Sequence, residues 1–359
     1  MKIRADRAEL ADAVTWVSQA ISKKPAVLAL SGMRIKAEGE RLTLMAFDYD
    51  VSHSALVDVE VQSEGECLIS GSFLREVLGG MRGKEVELVL DGRQLTIESG
   101  RASYRAQCMS LDDYPNLPKF PAASGEIPAE NLTALVAATK YAVDDASAFG
   151  QVRGLHLEGD DKRLLMTGFN RSGGGYAEQP WAARGEISCQ VPARAFDTAV
   201  RGLHGTVGIG IDRGGVGLGD ETRRVTLRTF DTEYLDWRRI LRDEHDDTVT
   251  LEVDVDELAA AVKRVGALAG DMPIALDVIA EEVAVSAVTD GTDGCEALDA
   301  KADGEIRVGF GPRLLLDALS AVPGGRVRIG FNGPKKVATV RSIDHPWQTQ
   351  VIMPRTVKD

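Results

Sequence analysis

The chain states one pattern three times. Gly65-Glu66-Cys67, Gly185-Glu186-Ile187 and Gly304-Glu305-Ile306 open the same series of signals at spacings of about 120 residues. A short apolar alternation comes first. An amphipathic helix follows, with Arg75, Arg194 or Arg313 near its start. Then come an apolar run, a turn (Asp91-Gly92, Arg213-Gly214-Gly215, Asn332-Gly333) and a further alternating run. A fixed period means one structural unit used repeatedly. A unit this long is a whole domain rather than a solenoid repeat. The sequence therefore predicts three similar domains in tandem, 1–120, 121–246 and 247–359.

Each third predicts two helices. The first opens with a strand over 2–5 and a helix over 7–20, with Leu10, Val14 and Val17 at helical spacing. The second opens with Ile127-Pro128-Ala129, then a helix carrying Leu132, Leu135, Val136 and Lys140. The third opens with an alternating strand over 248–255 and a helix carrying Leu258, Val262 and Val265, with Asp256 as its N-cap. The later helices read as 72–81, 193–203 and 312–322. Gly79-Gly80, Gly202 and Gly324 fall near their ends, and Pro312 suits a first turn. Alternating runs such as 85–90 and 327–331, separated by turn signals, read as antiparallel meanders. The fold class is α+β, with two helices per domain on one face of an antiparallel sheet. Proline-rich 116–121 and the charge run 243–247 suit linkers.

Chemistry is sparse. Cys67, Cys108, Cys189 and Cys295 form no Cys-x-x-Cys pair and read as buried, reduced cysteines. The histidines 53, 156, 204, 245 and 345 show no metal-ligand spacing, so no metal or cofactor is expected. The acidic pairs at 112–113, 144–145, 160–161 and 246–247 read as solvated turns. Gly208-Ile209-Gly210-Ile211-Asp212 looks superficially like a phosphate loop but lacks its Lys-Ser/Thr end, and reads as a strand and hairpin. Gly173-Gly174-Gly175 reads as a flexible loop or a bulge. Ser70, Ser72 and Ser188 sit in no nucleophile elbow. With no convergent catalytic set, an enzyme is not expected. No apolar run approaches the ~20 residues of a membrane span, and the N-terminus has no signal-peptide pattern, so a cytoplasmic protein is expected. The net charge of −13 opposes non-specific nucleic-acid binding unless cations gather on one face.

A threefold repeat of two-helix domains, no active site and the ending Val351-Ile352-Met353-Pro354 together resemble the bacterial sliding clamp family, the β subunit of the replicative DNA polymerase. The resemblance covers the whole chain. Met1-Lys2-Ile3, Leu10, Val17-Ser18 and Lys24-Pro25 look like the family's first helix and loop. Asp112-Asp113-Tyr114-Pro115-Asn116-Leu117 is similar to its end of domain one, and Tyr234-Leu235-Asp236-Trp237-Arg238-Arg239-Ile240 to its end of domain two. The resemblance implies a head-to-tail homodimer, a six-domain ring around double-stranded DNA held without sequence preference. It also implies polymerase and clamp-loader partners bound through short linear peptides, and no membrane partner.

On that resemblance, Lys24, Arg75, Arg82, Lys140, Arg194, Arg201, Lys263, Arg264 and Arg313 are DNA-channel candidates; a solvated helix face is the alternative. Only Lys24 matches a family DNA-contacting position. The implied peptide pocket between domains two and three comprises Val152, Thr167, Arg171, Ser172, Leu235, Arg239, Ile240, Val351, Met353, Pro354 and Arg355. The implied ring edges are Arg101, Tyr104 and Arg105 against Ala267, Leu268, Asp293 and Glu296, a heterologous pairing of opposite charge. The chain departs from the family where Ser172 replaces a leucine, Leu235 a proline, Arg355-Thr356-Val357 a more apolar ending and Ala267 a larger apolar residue. These departures fit a replicative clamp, or a divergent clamp paralogue with an altered pocket, inhibitor-resistant or serving as a decoy or scaffold.

Overall fold

A computed structural model describes residues 1–144, 147, 149–232, 234, 236–238, 247–289 and 291–357. Six α-helices lie among the described residues: α1 Arg7–Val17, α2 Gly71–Gly80, α3 Ala129–Thr139, α4 Ala193–Val200, α5 Val255–Ala269 and α6 Pro312–Ser320. All the strand pairs described are antiparallel, as the turn signals predict. The hairpin read from Gly208-Ile209-Gly210 is present, with Thr206–Asp212 paired to Gly215–Gly219.

Local chemistry moves several boundaries. Asp254, not Asp256, caps α5: its carboxylate accepts from the Asp256 and Glu257 N–H groups at 2.9 and 3.0 Å. Its extended backbone suits a cap, whereas Asp256 is already helical. Asp6 caps α1 in the same way, accepting from the Ala8 N–H at 2.7 Å. The 7–20 helix is α-helical only to Val17 and tightens to a 3-10 turn over Ser18–Ala20. Gly79 and Gly80 lie inside the last turn of α2, which ends on Met81. The helix read as 193–203 stops at Val200 and the one read as 312–322 at Ser320.

The contacts gather into two compact units, Met1–Ala129 with Thr198–Thr229, and Glu130–Asp197 with Phe230–Asp359. The middle repeat is thus shared between them. In the first unit the strand Arg223–Leu227 adds to Val51–Asp58, with Arg223 opposite Ala55, so one sheet runs through parts of two repeats. Arg223 fastens this junction. It donates to the Gly202 carbonyl at 2.6 Å, forms an ion pair with Asp12, and stacks over Trp16 at 5.2 Å. Gly202 must be glycine here, because a Cβ would lie 1.8 Å from Trp16 Nε1. Trp16 also covers the buried His53, ring centroids 4.4 Å apart. Burial lowers the His53 pKa to about 4.

In the second unit Gly173-Gly174-Gly175 are neither loop nor bulge. They begin the buried strand Gly173–Pro180, which joins Arg163–Phe169 to Gln348–Ile352. A Cβ at Gly174 would lie 1.8 Å from the Phe169 ring, and one at Gly175 2.4 Å from the Ala138 carbonyl. The run is a close-packing device, a role that composition alone does not distinguish from flexibility. The main core of this unit joins α5 and α6 to their sheet through Leu258, Val262, Val265, Leu315 and Phe310. Each such side chain contributes about 1.5–3 kcal/mol on burial. Of the four cysteines, Cys67 and Cys108 are buried as expected, but Cys295 is exposed because it lies on a terminal strand.

Candidate functional site

Three of the expected pocket residues, Ser172, Val351 and Met353, meet at the first end of the strand Gly173–Pro180. The side chain of Asn170 accepts from the Ser172 and Gly173 N–H groups at 2.7 and 3.0 Å, closing a tight turn. The Met353 N–H donates to the Ser172 carbonyl at 2.8 Å, so Ser172, Val351 and Met353 are brought together by backbone pairing. Ser172 is half-buried and Met353 is exposed. Thr167 is buried and donates to the Tyr234 hydroxyl at 3.1 Å. Val152 ends a 3-10 turn, Gly150–Val152. Arg171 is exposed and stacks over Phe149 at 4.3 Å. The Arg355 N–H donates to the Gly309 carbonyl at 2.8 Å, which carries Arg355 onto the α6 sheet. Pro354 is half-buried beside it. Leu235, Arg239 and Ile240 lie outside the described residues.

The floor of this region joins the expected Val351 to Phe169, Leu165 and Trp237, which the sequence does not single out as pocket residues. Phe169, Val351, Leu165 and Trp237 form one buried cluster, with Tyr176, Tyr234 and Val337 against it. A leucine at position 172 is therefore not needed to make the floor apolar. Val351 is legible in the sequence, but one-dimensional spacing does not reveal that the strand Gly173–Pro180 joins it to the strand of Phe169.

Tyr234, Trp237 and Arg238 each latch to the sheet. Tyr234 stacks on His156 with centroids 4.3 Å apart, Trp237 tilts against Tyr176 at 4.7 Å, and Arg238 pairs with Glu158 while lying over Trp237 at 4.5 Å. Burial lowers the His156 pKa, against the pull of Glu158. Burial alone would raise the Glu158 pKa, but the Arg238 guanidinium holds it below its usual value. Beside this latch a cavity of about 490 Å³ is lined by Leu165, Tyr176, Trp237, Arg238 and Ser188 among others. His156 Nε2 lies 3.2 Å from Ser188 Oγ, and Nδ1 3.4 Å from a Glu158 oxygen. A serine, an imidazole and a carboxylate thus meet, which sequence spacing does not show. Ser188 sits within the strand Ile187–Pro192 opposite Glu158, not in the strained turn that exposes a nucleophile, so the set reads as part of the latch.

The candidate channel cations divide into two kinds. Lys24, Arg75, Arg82, Arg194, Arg201, Lys263 and Arg313 are exposed. Lys263 and Arg313 both line a cavity of about 430 Å³ between α5 and α6, together with Gly266 and Asp271. Lys140 is half-buried and bonded to Asp197 at 3.0 Å. Arg264 is fixed to Glu296 by two bonds. Lys140 and Arg264 are therefore engaged within the chain, and Arg194 and Arg201 also have partners there.

The candidate edges lie on terminal strands. Ala102–Gln107 ends a five-stranded sheet and Thr292–Asp299 ends a four-stranded one. Tyr104 is 43% exposed and flanked by exposed Arg101 and Arg105, so an aromatic sits in water among cations. On the other strand Asp293 is exposed and Glu296 half-buried. Leu268 is 48% exposed and reaches over Gly294, where a Cβ would meet its Cδ1 at 2.5 Å. Ala267 is exposed beside it.

No group of three or more His, Cys, Asp or Glu among the described residues is placed to hold a metal ion. No helix among them is long and apolar enough to cross a membrane.

Comparison with known proteins places this geometry. Residues 1–118 match the DNA polymerase III beta subunit, N-terminal domain, and residues 238–356 the C-terminal domain of the same subunit. The chain is 27% identical to the beta sliding clamp of Streptomyces coelicolor over 94% of this chain and 93% of that protein. It is 26% identical to the beta sliding clamp homolog GriR of Streptomyces muensis over 99% of each. The DNA polymerase sliding clamp of Bacillus subtilis superimposes with a TM-score of 0.92 at 21% identity, covering 100% of both chains. The clamp of Pseudomonas aeruginosa bound to griselimycin gives 0.93 at 19% identity, covering 99% of this chain and 100% of that one. The fold is that of the sliding clamps, with six helices on antiparallel sheets, and the chain belongs to the DNA polymerase III beta-subunit family.

Proposed function

We propose that this chain is a DNA sliding clamp. Two copies join head to tail into a ring around duplex DNA and tether the replicative polymerase and other clamp-binding proteins, in the cytoplasm and without catalysis of its own. The chain would then be read as three domains, 1–120, 121–246 and 247–359. The observation that carries the reading is the pair of terminal strands. One presents Arg101, Tyr104 and Arg105, the other Asp293 and Glu296 beside Leu268. An exposed strand end is a template for pairing with another chain. Ends of opposite charge join different surfaces, and such a contact closes into a ring when its rotation allows.

The acidic net charge suits this role. A closed ring keeps DNA by topology, so its cations need only tolerate phosphate while the acidic remainder repels nucleic acid elsewhere. Lys24, Arg75, Arg82, Arg194, Arg201, Lys263 and Arg313 are the channel residues on this reading, with Lys140 and Arg264 holding the helices in place. The apolar floor of Phe169 and Val351, with Thr167, Arg171, Ser172, Met353 and Pro354 around it, receives the peptide end of a partner. An adaptable Met at the mouth of an apolar pocket suits several partners.

One observation favours a second reading, a clamp-fold scaffold that is not loaded. Glu296 is already held by Arg264, and Ala267 is small, so ring closure must release an internal ion pair for little apolar gain. Sedimentation across a dilution series tests the choice. A dimer that persists at nanomolar concentration supports the ring; a monomer that still binds clamp-binding peptides supports the scaffold.

A further inference from the structure

Three strands of the second unit end at one level. Gly173 pairs with Ile352, and Ile352 pairs in turn with Ala338, so one row crosses Gly173–Pro180, Gln348–Ile352 and Ala338–Ser342. Ser172, Met353 and Val337 stand one residue beyond that row. The Met353 N–H donates to the Ser172 carbonyl, and Val337 packs on the cluster of Phe169 and Val351. The apolar floor therefore opens at this end of the sheet.

Each segment leaving the row then turns cationic. Arg171 precedes Ser172, Lys335 and Lys336 precede Val337, and Arg355 follows Pro354. All four are exposed. Neighbouring strands lie about 4.8 Å apart, so the three segments leave within about 10 Å of one another. Local contacts restrain two of the four. Arg171 lies over the Phe149 ring at 4.3 Å, a contact that does not consume its N–H donors. Arg355 lies against Gly311, where a Cβ would come 3.4 Å from the guanidinium carbon. None of the four pairs with a carboxylate among the described residues, whereas Arg163, Arg238 and Arg328 of the same unit all do. Four such cations around one apolar opening stand out on a chain whose net charge is −13. Like charges gathered this closely repel one another, and an anionic ligand relieves the repulsion.

We propose that Arg171, Lys335, Lys336 and Arg355 form a specificity collar that selects partner peptides carrying Asp or Glu side chains beside their apolar anchor. The inference rests on the reading of the Phe169–Val351 floor as a peptide pocket. It adds what the floor alone does not provide, discrimination among peptides that share the same apolar residues. Exposed ion pairs between long side chains are weak one by one, so the selection comes from several charges acting together and is sensitive to salt. Charge at the rim of an apolar site acts on orientation and association rate as well as on affinity. Nucleic-acid phosphate is the competing anion, but the apolar opening inside the collar favours a ligand with both charge and apolar surface.

Calorimetric titration of the full chain tests this with two peptides, acetylated and amidated so that no terminal charge remains. Both end in Leu-Phe; one carries Asp-Asp just before it and the other Asn-Asn. At low salt the Asp peptide should bind about tenfold more tightly, and the ratio should fall toward one at high salt. Lys335→Glu combined with Lys336→Glu should bring the low-salt ratio to one or below. Lys335→Gln combined with Lys336→Gln should give an intermediate ratio. Equal affinity of the parent for the two peptides overturns the collar and leaves the pocket standing. A preference that survives the charge reversal overturns it too. Failure of both peptides to bind overturns the pocket reading, and the collar with it. Full displacement of the Asp peptide by an equimolar linear duplex oligonucleotide would assign the cations to phosphate and likewise overturn the proposal.

Discussion

The two terminal strands, Ala102–Gln107 and Thr292–Asp299, end their sheets in different ways. The first leaves Tyr104 half in water between Arg101 and Arg105. The second is partly satisfied within its own chain: Arg264 holds Glu296 by two bonds and Leu268 reaches over Gly294. A basic edge waits for a partner, whereas an acidic edge must exchange one. Association between them should therefore depend on apolar contact at the centre, with charge setting orientation and rate more than strength.

The largest expected effect comes from removing that centre. Tyr104→Asp should weaken dimerisation by about 2–4 kcal/mol, the scale of an interfacial aromatic anchor. Sedimentation equilibrium of the variant against the parent reads the shift. A parent-like dimer would move the anchor to another surface.

Acid should act on the basic edge through the unit that holds it. The His53 pKa falls from 6.5 to about 4 through burial in the first unit. Between those values the unfolded chain binds the extra proton, so stability is full above pH 6.5 and declines as pH falls toward 4. The loss is about 3 kcal/mol. Denaturant melts of the parent and of His53→Gln, between pH 7 and 4, check this: the substitution should flatten the decline. An unchanged slope would assign acid sensitivity to other groups.

The pocket offers the next effect. Ser172 stands at the mouth of the Phe169–Val351 floor, so Ser172→Leu should tighten a clamp-binding peptide by about 1.5–3 kcal/mol. Calorimetric titration reads it, and no gain would mean that the peptide does not cover position 172. The smallest effect is at the acidic edge. Arg264→Ala frees Glu296 and should tighten the dimer slightly at low salt, with the gain vanishing at high salt because the pair is solvent-exposed. Light scattering at two ionic strengths would show it; weaker association at both would mean that Arg264 itself bridges the subunits.

The repeat made much of this legible in advance. Helical spacing at Leu258, Val262 and Val265 located α5, and alternation located the meanders, because both follow from which face a side chain must bury. What was hidden depends on neighbours distant in sequence. The glycines 173–175 looked like punctuation until Phe169 and the Ala138 carbonyl explained them. The sharing of the middle repeat between two units follows from Arg223–Leu227 pairing with Val51–Asp58, a choice of strand partner that no local pattern records. Residue type and position mark the candidate cations but not their partners, so the tethering of Lys140 to Asp197 and of Arg264 to Glu296 is legible only in three dimensions. The latch of His156, Tyr234 and Arg238 was invisible for the same reason.

The central claim is topological, and one measurement addresses it directly. The protein is loaded onto nicked circular duplex DNA with its cognate clamp loader and isolated by gel filtration, and the circle is then cut at a single site. A ring stays with the circle and is released on linearisation; equal release from circular and linear DNA would contradict it.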